Sequence, residues 1–193
     1  MLLSQTAKRY CSSRVIDAEI HEVAVQKDSG KQRQLDRIDF KILKALQKNA
    51  RLSYVELAQI VGLSTTPCME RVKRLEASGY ILGYHADINA DALGLELLVF
   101  LEITLTVQSP ETFQEFKTAA EKFSYVQECH LISGQSDYLL KLRMSDLKNY
   151  RKYLGELLLA LPHVRESKSH IVMEEAKQSS LMPLELVNHR FKN

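Results

Sequence analysis

With 193 residues, 45% of them hydrophobic, the chain can bury a core in one large domain or two small ones, which excludes a disordered or fibrous polypeptide. The net charge of +2 is too small to point to any partner, so the distribution of charge carries the argument. Cys11, Cys68 and Cys129 lie far apart with no C-x-x-C pair, which argues against a disulfide framework or a zinc site and fits a reducing cytoplasm, and no apolar run nears the roughly 18 residues that span a bilayer.

Residues 1–34 form an extension. Lys8, Arg9 and Arg14 give its start a basic character that Asp17, Glu19 and Glu22 interrupt, so a transit-peptide pattern is not sustained. A short helix is expected over Arg14 to Gln26, and the polar, glycine-containing run Lys27 to Gln34 reads as a flexible linker.

Three short helices follow within residues 35–83. Asp36 with Asp39 three residues on gives the first an N-cap and an acidic first turn, and its apolar positions are Ile38, Ile42, Leu43 and Leu46. Ser53 with Glu56 is a capping box for the second, with Leu57, Ile60 and Val61 as its stripe and Gly62 as its stop. Ser64 caps the third, Pro67 is tolerated in its first turn, and Gly79 ends it. Helices two and three, joined by Val61 to Ser64, have the length of a helix-turn-helix. This segment carries Arg37, Lys41, Lys44, Lys48, Arg51, Arg71, Lys73 and Arg74 against Asp36, Asp39, Glu56, Glu70 and Glu76, a balance of 8 − 5 = +3; residues 84–193 carry 12 − 15 = −3. The positive segment suits phosphate. In the third helix Val72 and Leu75 point inward, while Ser64, Thr65, Thr66, Cys68, Met69, Arg71 and Arg74 are the candidate double-stranded DNA contacts, with Arg71 the first choice for a base edge.

Residues 84–95 form an extended linker, with a turn around Asn89 to Gly94. From Glu96 the apolar period changes to two. Leu97, Val99, Leu101, Ile103 and Leu105 share one face of a strand, and Leu98 and Phe100 lie on the other. A helix opening at Ser109-Pro110-Glu111 carries Phe113, Phe116, Ala120 and Phe123; strands are expected over Val126 to Ser133 and from Tyr138 to Met144 around a turn at Gly134 to Ser136. A second helix from Ser145 or Asp146 ends at Pro162, and Lys168 to Glu174 reads as the fourth strand. The expected fold class is α+β: an N-terminal winged-helix-like helix-turn-helix domain joined by a linker to a ferredoxin-like βαββαβ domain over residues 96–180, then a tail over 181–193.

The runs Leu35-Asp36-Arg37-Ile38-Asp39, Leu63 to Glu76, Gly79 to Tyr84, Glu128 to Gly134, Asp137 to Lys141 and Val172 to Ser179 together resemble the Lrp/AsnC transcription regulators over residues 34 to 180. The resemblance implies dimers assembling into octamers, with a small amino acid, leucine or a similar apolar one, bound between dimers. It implies an effector pocket of Leu131, Ser133, Gly134, Asp137 and Tyr138 with His170, Val172 and Met173. In that pocket Gly134 would let backbone amides approach a carboxylate, and Asp137 would pair with an ammonium. His170 stands where relatives carry an aromatic residue.

Other readings stay open at this level. Gly134 and Asp137 are also ordinary turn residues. Cys129 beside His130 suggests a nucleophile and a base, yet neighbours on a strand project to opposite faces, so Cys129 is expected in the core and the chain is not read as an enzyme. No motif calls for a cofactor or metal. The rival to a cytoplasmic DNA-binding regulator is an amino-acid-binding regulatory subunit of a metabolic enzyme, whose helices would bind protein.

Overall fold

Capping decides where the N-terminal helices begin. In the computed structural model, which describes residues 35–187, the Asp36 carboxylate accepts the Ile38 and Asp39 amides while Asp39 returns a bond to the Asp36 amide, opening α1 (Arg37–Lys48). Ser53 and Glu56 form the same reciprocal pair ahead of α2 (Tyr54–Val61), which Gly62 terminates at φ +77°. α3 (Thr65–Ala77) starts after Ser64, whose backbone is extended as a cap requires but whose hydroxyl makes no capping bond, so the side-chain role expected of Ser64 is not there. The expected extension over 1–34 and its helix lie outside the described residues.

Ile42, Leu46, Leu57, Val61, Cys68, Val72 and Leu75 fuse the three helices into one core. Each fully buried aliphatic side chain contributes about 1.5–3 kcal/mol, enough to fix α3 against α1 and α2. Ile60 departs from the expected stripe: it is exposed, and Ala58 takes the inward position, because Leu57, Ala58 and Val61 are the three positions of this two-turn helix that meet the core.

The second unit runs from Asp87 to Ser179. It holds β1 (Leu97–Leu105), α4 (Pro110–Ala120), β2 (Val126–Leu131), β3 (Tyr138–Met144), α5 (Leu147–Ala160) and β4 (Val164–Ile171). The sheet is antiparallel in the order β2-β3-β1-β4, the ferredoxin-like arrangement. Val99, Leu101, Ile103 and Leu105 from β1 join Tyr138, Leu140 and Leu142 from β3 and pack on Phe116, Tyr150 and Leu157 of the two helices. β4 begins four residues earlier than expected. Pro162 and a left-handed His163 (φ +60°) turn the chain at once, and the polar run Arg165, Glu166, Ser167 hid an edge strand that has little to bury. The chain rejoins the helical unit from Ser180, where the Gln47 side-chain amide donates to the Met182 carbonyl (3.3 Å) and accepts its N–H (3.2 Å).

Candidate nucleic-acid interface and ligand site

The orientation of α3 is set by a carboxylate. Asp39, 1% exposed, accepts Arg71 Nη1 at 2.8 Å and Arg74 Nη2 at 2.6 and 2.8 Å, and Arg71 Nη1 also reaches Asp36 at 2.5 Å. Two arginines of α3 are thereby bolted to the capping box of α1. Partial burial pushes the Asp36 carboxyl up, but the Arg71 hydrogen bond and the Asp39 and Ile38 amides more than reverse this and hold it below its ordinary value. Burial opposes the charge on Arg71 as well, yet the Asp36 bond leads the effects that raise its pKa.

This geometry revises the list of candidate contacts. Cys68 is fully buried in the helical core and cannot touch DNA; at i, i+4 and i+7 it belongs to the same inward stripe as Val72 and Leu75. Arg71 is a half-buried brace, with one guanidinium nitrogen spent on two aspartates, and Arg74 is bound to Asp39. Ser64, Thr65 and Thr66 are exposed, and Met69 is half-buried. Glu70 and Lys73, not among the expected contacts, are exposed on the same side as Thr66. The 3.6-residue period that turns Val72 inward also turns Thr66, Glu70 and Lys73 outward, and that count was available from sequence alone.

The expected ligand residues fall into separate groups. Leu131, Ser133 and Gly134 are exposed, and Gly134 at φ +132° holds a conformation that a side chain would strain. Asp137 is committed elsewhere: its Oδ2 accepts the Leu105 amide at 2.7 Å and its Oδ1 accepts the Gln108 side-chain amide at 2.6 Å. It ties the end of β1 to the loop, so the ammonium role expected of it does not fit. Tyr138 is fully buried, stacked on Phe116 with its hydroxyl donating to the Phe113 carbonyl, and is core rather than pocket.

Val172 and Met173 line a cleft of about 430 Å³ with Asp91, Glu96, Leu98, Glu174 and Glu175. Val172 donates its amide to the Leu98 carbonyl, whereas Asp137 donates to Ile103. Those two ends of β1 are five residues apart, about 16 Å at roughly 3.3 Å per residue. Met173 is 92% exposed, so it does no packing here. Leu98, expected on an uncovered face, is buried, while Phe100 is half-buried. Glu175 neutralises the buried Arg143 at 2.7 Å.

The paired-residue reading of Cys129 and His130 ends as the strand rule requires. Cys129 lies opposite Leu140 and His130 opposite Leu139, on different faces of β2, and His130 contacts Glu128 at 2.9 Å. Cys129 is exposed on this edge strand rather than buried in the core as expected, because β2 has a neighbour on one side only.

Comparison with known proteins gives this geometry its family. Residues 35–81 match the winged helix-turn-helix DNA-binding family, and residues 98–182 match the Lrp/AsnC ligand binding domain. The leucine-responsive regulatory protein of Escherichia coli (strain K12) is 56% identical over 146 residues, which is 76% of this chain and 89% of that protein. The chain belongs to the Lrp/AsnC family. The leucine-responsive regulatory protein of Klebsiella pneumoniae is 55% identical over the same shares of both chains. Among solved structures, a transcriptional regulator from Neisseria meningitidis in complex with L-Met superposes with a TM-score of 0.74 at 31% identity, covering 80% of this chain and 99% of that one. An AsnC family regulator from Agrobacterium tumefaciens gives 0.75 at 32% identity, covering 79% and 99%. As a Lrp/AsnC member the protein is a DNA-binding transcriptional regulator with an amino-acid-binding domain, and its relatives are regulators rather than enzymes. Among the described residues no helix is long and apolar enough to cross a membrane.

Proposed function

We propose that this Lrp/AsnC protein reads a DNA major groove with the outward face of α3, using Thr65, Thr66, Met69, Glu70 and Lys73, in the cytoplasm. One observation carries the reading: α3 buries Cys68, Val72 and Leu75 on one side and leaves an exposed polar stripe on the other, the division that a recognition helix needs. Arg71 and Arg74 act by holding that helix in place. Their fork geometry satisfies Asp39, and with side chains 25% and 37% exposed they remain within reach of a DNA phosphate.

The ligand is a small amino acid, leucine or methionine in the first instance, given what the relatives' names state. Ser133, Gly134 and Leu131 from one copy and Val172 and Met173 from another build the site, since a single chain holds these groups about 16 Å apart, too far for one small amino acid to touch both. The protein therefore works as a homo-oligomer, a dimer that assembles to an octamer, and ligand shifts assembly and so the number of recognition helices engaged at once.

The test has two arms. Binding of a target duplex should weaken steeply with salt, and Lys73→Ala should lower the slope of log K against log salt by about 1. A thermal-shift screen of the twenty amino acids should raise Tm for leucine or methionine, because binding to the folded state stabilises it. Salt-independent binding, or no shift with any amino acid, would remove the corresponding half of the proposal.

A further inference from the structure

An amino acid seated on the Ser133 to Asp137 loop brings an α-ammonium that must find an acceptor once it leaves water. Asp137 is the obvious carboxylate in that loop, but with one oxygen on the Leu105 amide and the other on Gln108 it is only 8% exposed, so burial keeps a ligand from its remaining lone pairs. A second carboxylate reaches the same loop from β1. Glu102 lies on the sheet face turned away from α4 and α5, opposite Leu139 of β3 and Lys168 of β4. Its Oε2 accepts the Ser136 hydroxyl at 3.0 Å, and its Oε1 contacts His170 Nε2 at 3.0 Å. A carboxylate offers about four lone-pair directions, so two remain open, and the side chain is 32% exposed.

We propose that Glu102 is the acceptor for the ligand's α-ammonium, and that Ser136 and His170 are positioning residues that hold its carboxylate towards the loop. This rests on the amino-acid reading above and sharpens it: the ligand class is a zwitterion with a free α-amino group, and a carboxylic acid without one binds more weakly. The Ser136 bond, with His170 and Lys168 beside it, holds the Glu102 carboxyl below its usual range, so near neutral pH, where an amino acid is a zwitterion, it is ionised. The arrangement also gives His170 a function that its register opposite Phe100 alone would not. It links β4 to the same carboxylate that the loop engages through Ser136.

The experiment is calorimetric titration of the full-length chain with L-leucine, L-methionine and 4-methylpentanoate, which is leucine without its amino group. Wild type should prefer leucine over 4-methylpentanoate by at least about tenfold, the scale of one charge-assisted hydrogen bond. Glu102→Gln should erase that preference by weakening leucine and methionine while leaving 4-methylpentanoate unchanged, and Ser136→Ala in the exposed loop should erode it partly. A merely structural role would weaken all three ligands alike. Duplex binding and ligand-free Tm, which should match wild type, establish that each variant is folded. If Glu102→Gln keeps wild-type preference for the amino acids, Glu102 is not the acceptor and the amino-acid reading survives. If wild type binds none of the twenty amino acids, the parent reading falls and this one with it.

Discussion

Replacing Asp39 with Asn tests whether α3 is held by charge or by apolar packing alone. Asn keeps an oxygen for the Asp36 amide but loses the charge that Arg71 and Arg74 share at 2.6–2.8 Å. Breaking a buried ion pair costs about 3–5 kcal/mol when the orphaned charge stays buried. Here the arginine side chains are 25% and 37% exposed and regain water, so the loss is discounted to about 2 kcal/mol. At 1.4 kcal/mol per tenfold, hydrogen exchange of the α1 and α3 amides in the intact chain should quicken by about 30-fold. Amides of β1 and β3, in the other unit, should keep their wild-type rates. A cycle with Arg74→Gln should return a coupling of about 1 kcal/mol or more between residues 39 and 74. Acceleration of less than about threefold in α3, with no measurable coupling, would refute the clamp and leave the apolar core as the sole fastener.

Asp137→Asn should destabilise the ferredoxin-like unit by about 1–3 kcal/mol in urea titration, because the Leu105 amide and Gln108 lose a charged acceptor; an unchanged midpoint would return Asp137 to the ligand site. Arg71→Ala should quicken exchange in α1 as well as weaken DNA binding, whereas Lys73→Ala should weaken DNA binding alone; the reverse pattern would exchange their roles. Asp36 has a folded pKa below its unfolded value, so its contribution is full above pH of about 4 and disappears as pH falls through the folded pKa. Acid titration followed by α1 exchange should therefore show a loss that begins only below about pH 4 and is complete once pH has fallen through the folded Asp36 pKa, a loss that Asp36→Asn flattens, and equal curves for the two proteins would contradict it.

Elements were legible where local rules act alone. The N-cap at Asp36, the reciprocal cap at Ser53, the stop at Gly62 and the period-two run from Leu97 to Leu105 all rest on contacts within a few residues, and each lies where the sequence placed it. β4 was misplaced because this edge strand buries none of its residues, so no alternation marks it and its polar start looked like a loop. The ordered motifs also sufficed to reach the family.

Side-chain assignments fared differently, because a carboxylate's or guanidinium's partner is chosen by tertiary distance and not by sequence spacing. Arg71 and Asp36 are 35 residues apart, Glu102 and His170 are 68 apart, and nothing in the order of residues announces either pair. Asp137 looked like a free ligand group until Gln108 and the Leu105 amide were found on it. Cys68 and Tyr138 looked accessible until the cores closed over them. Periodicity and capping are encoded residue by residue, while the occupancy of each polar atom is settled when distant segments meet; the helices and strands could therefore be read from the chain, and the working atoms could not.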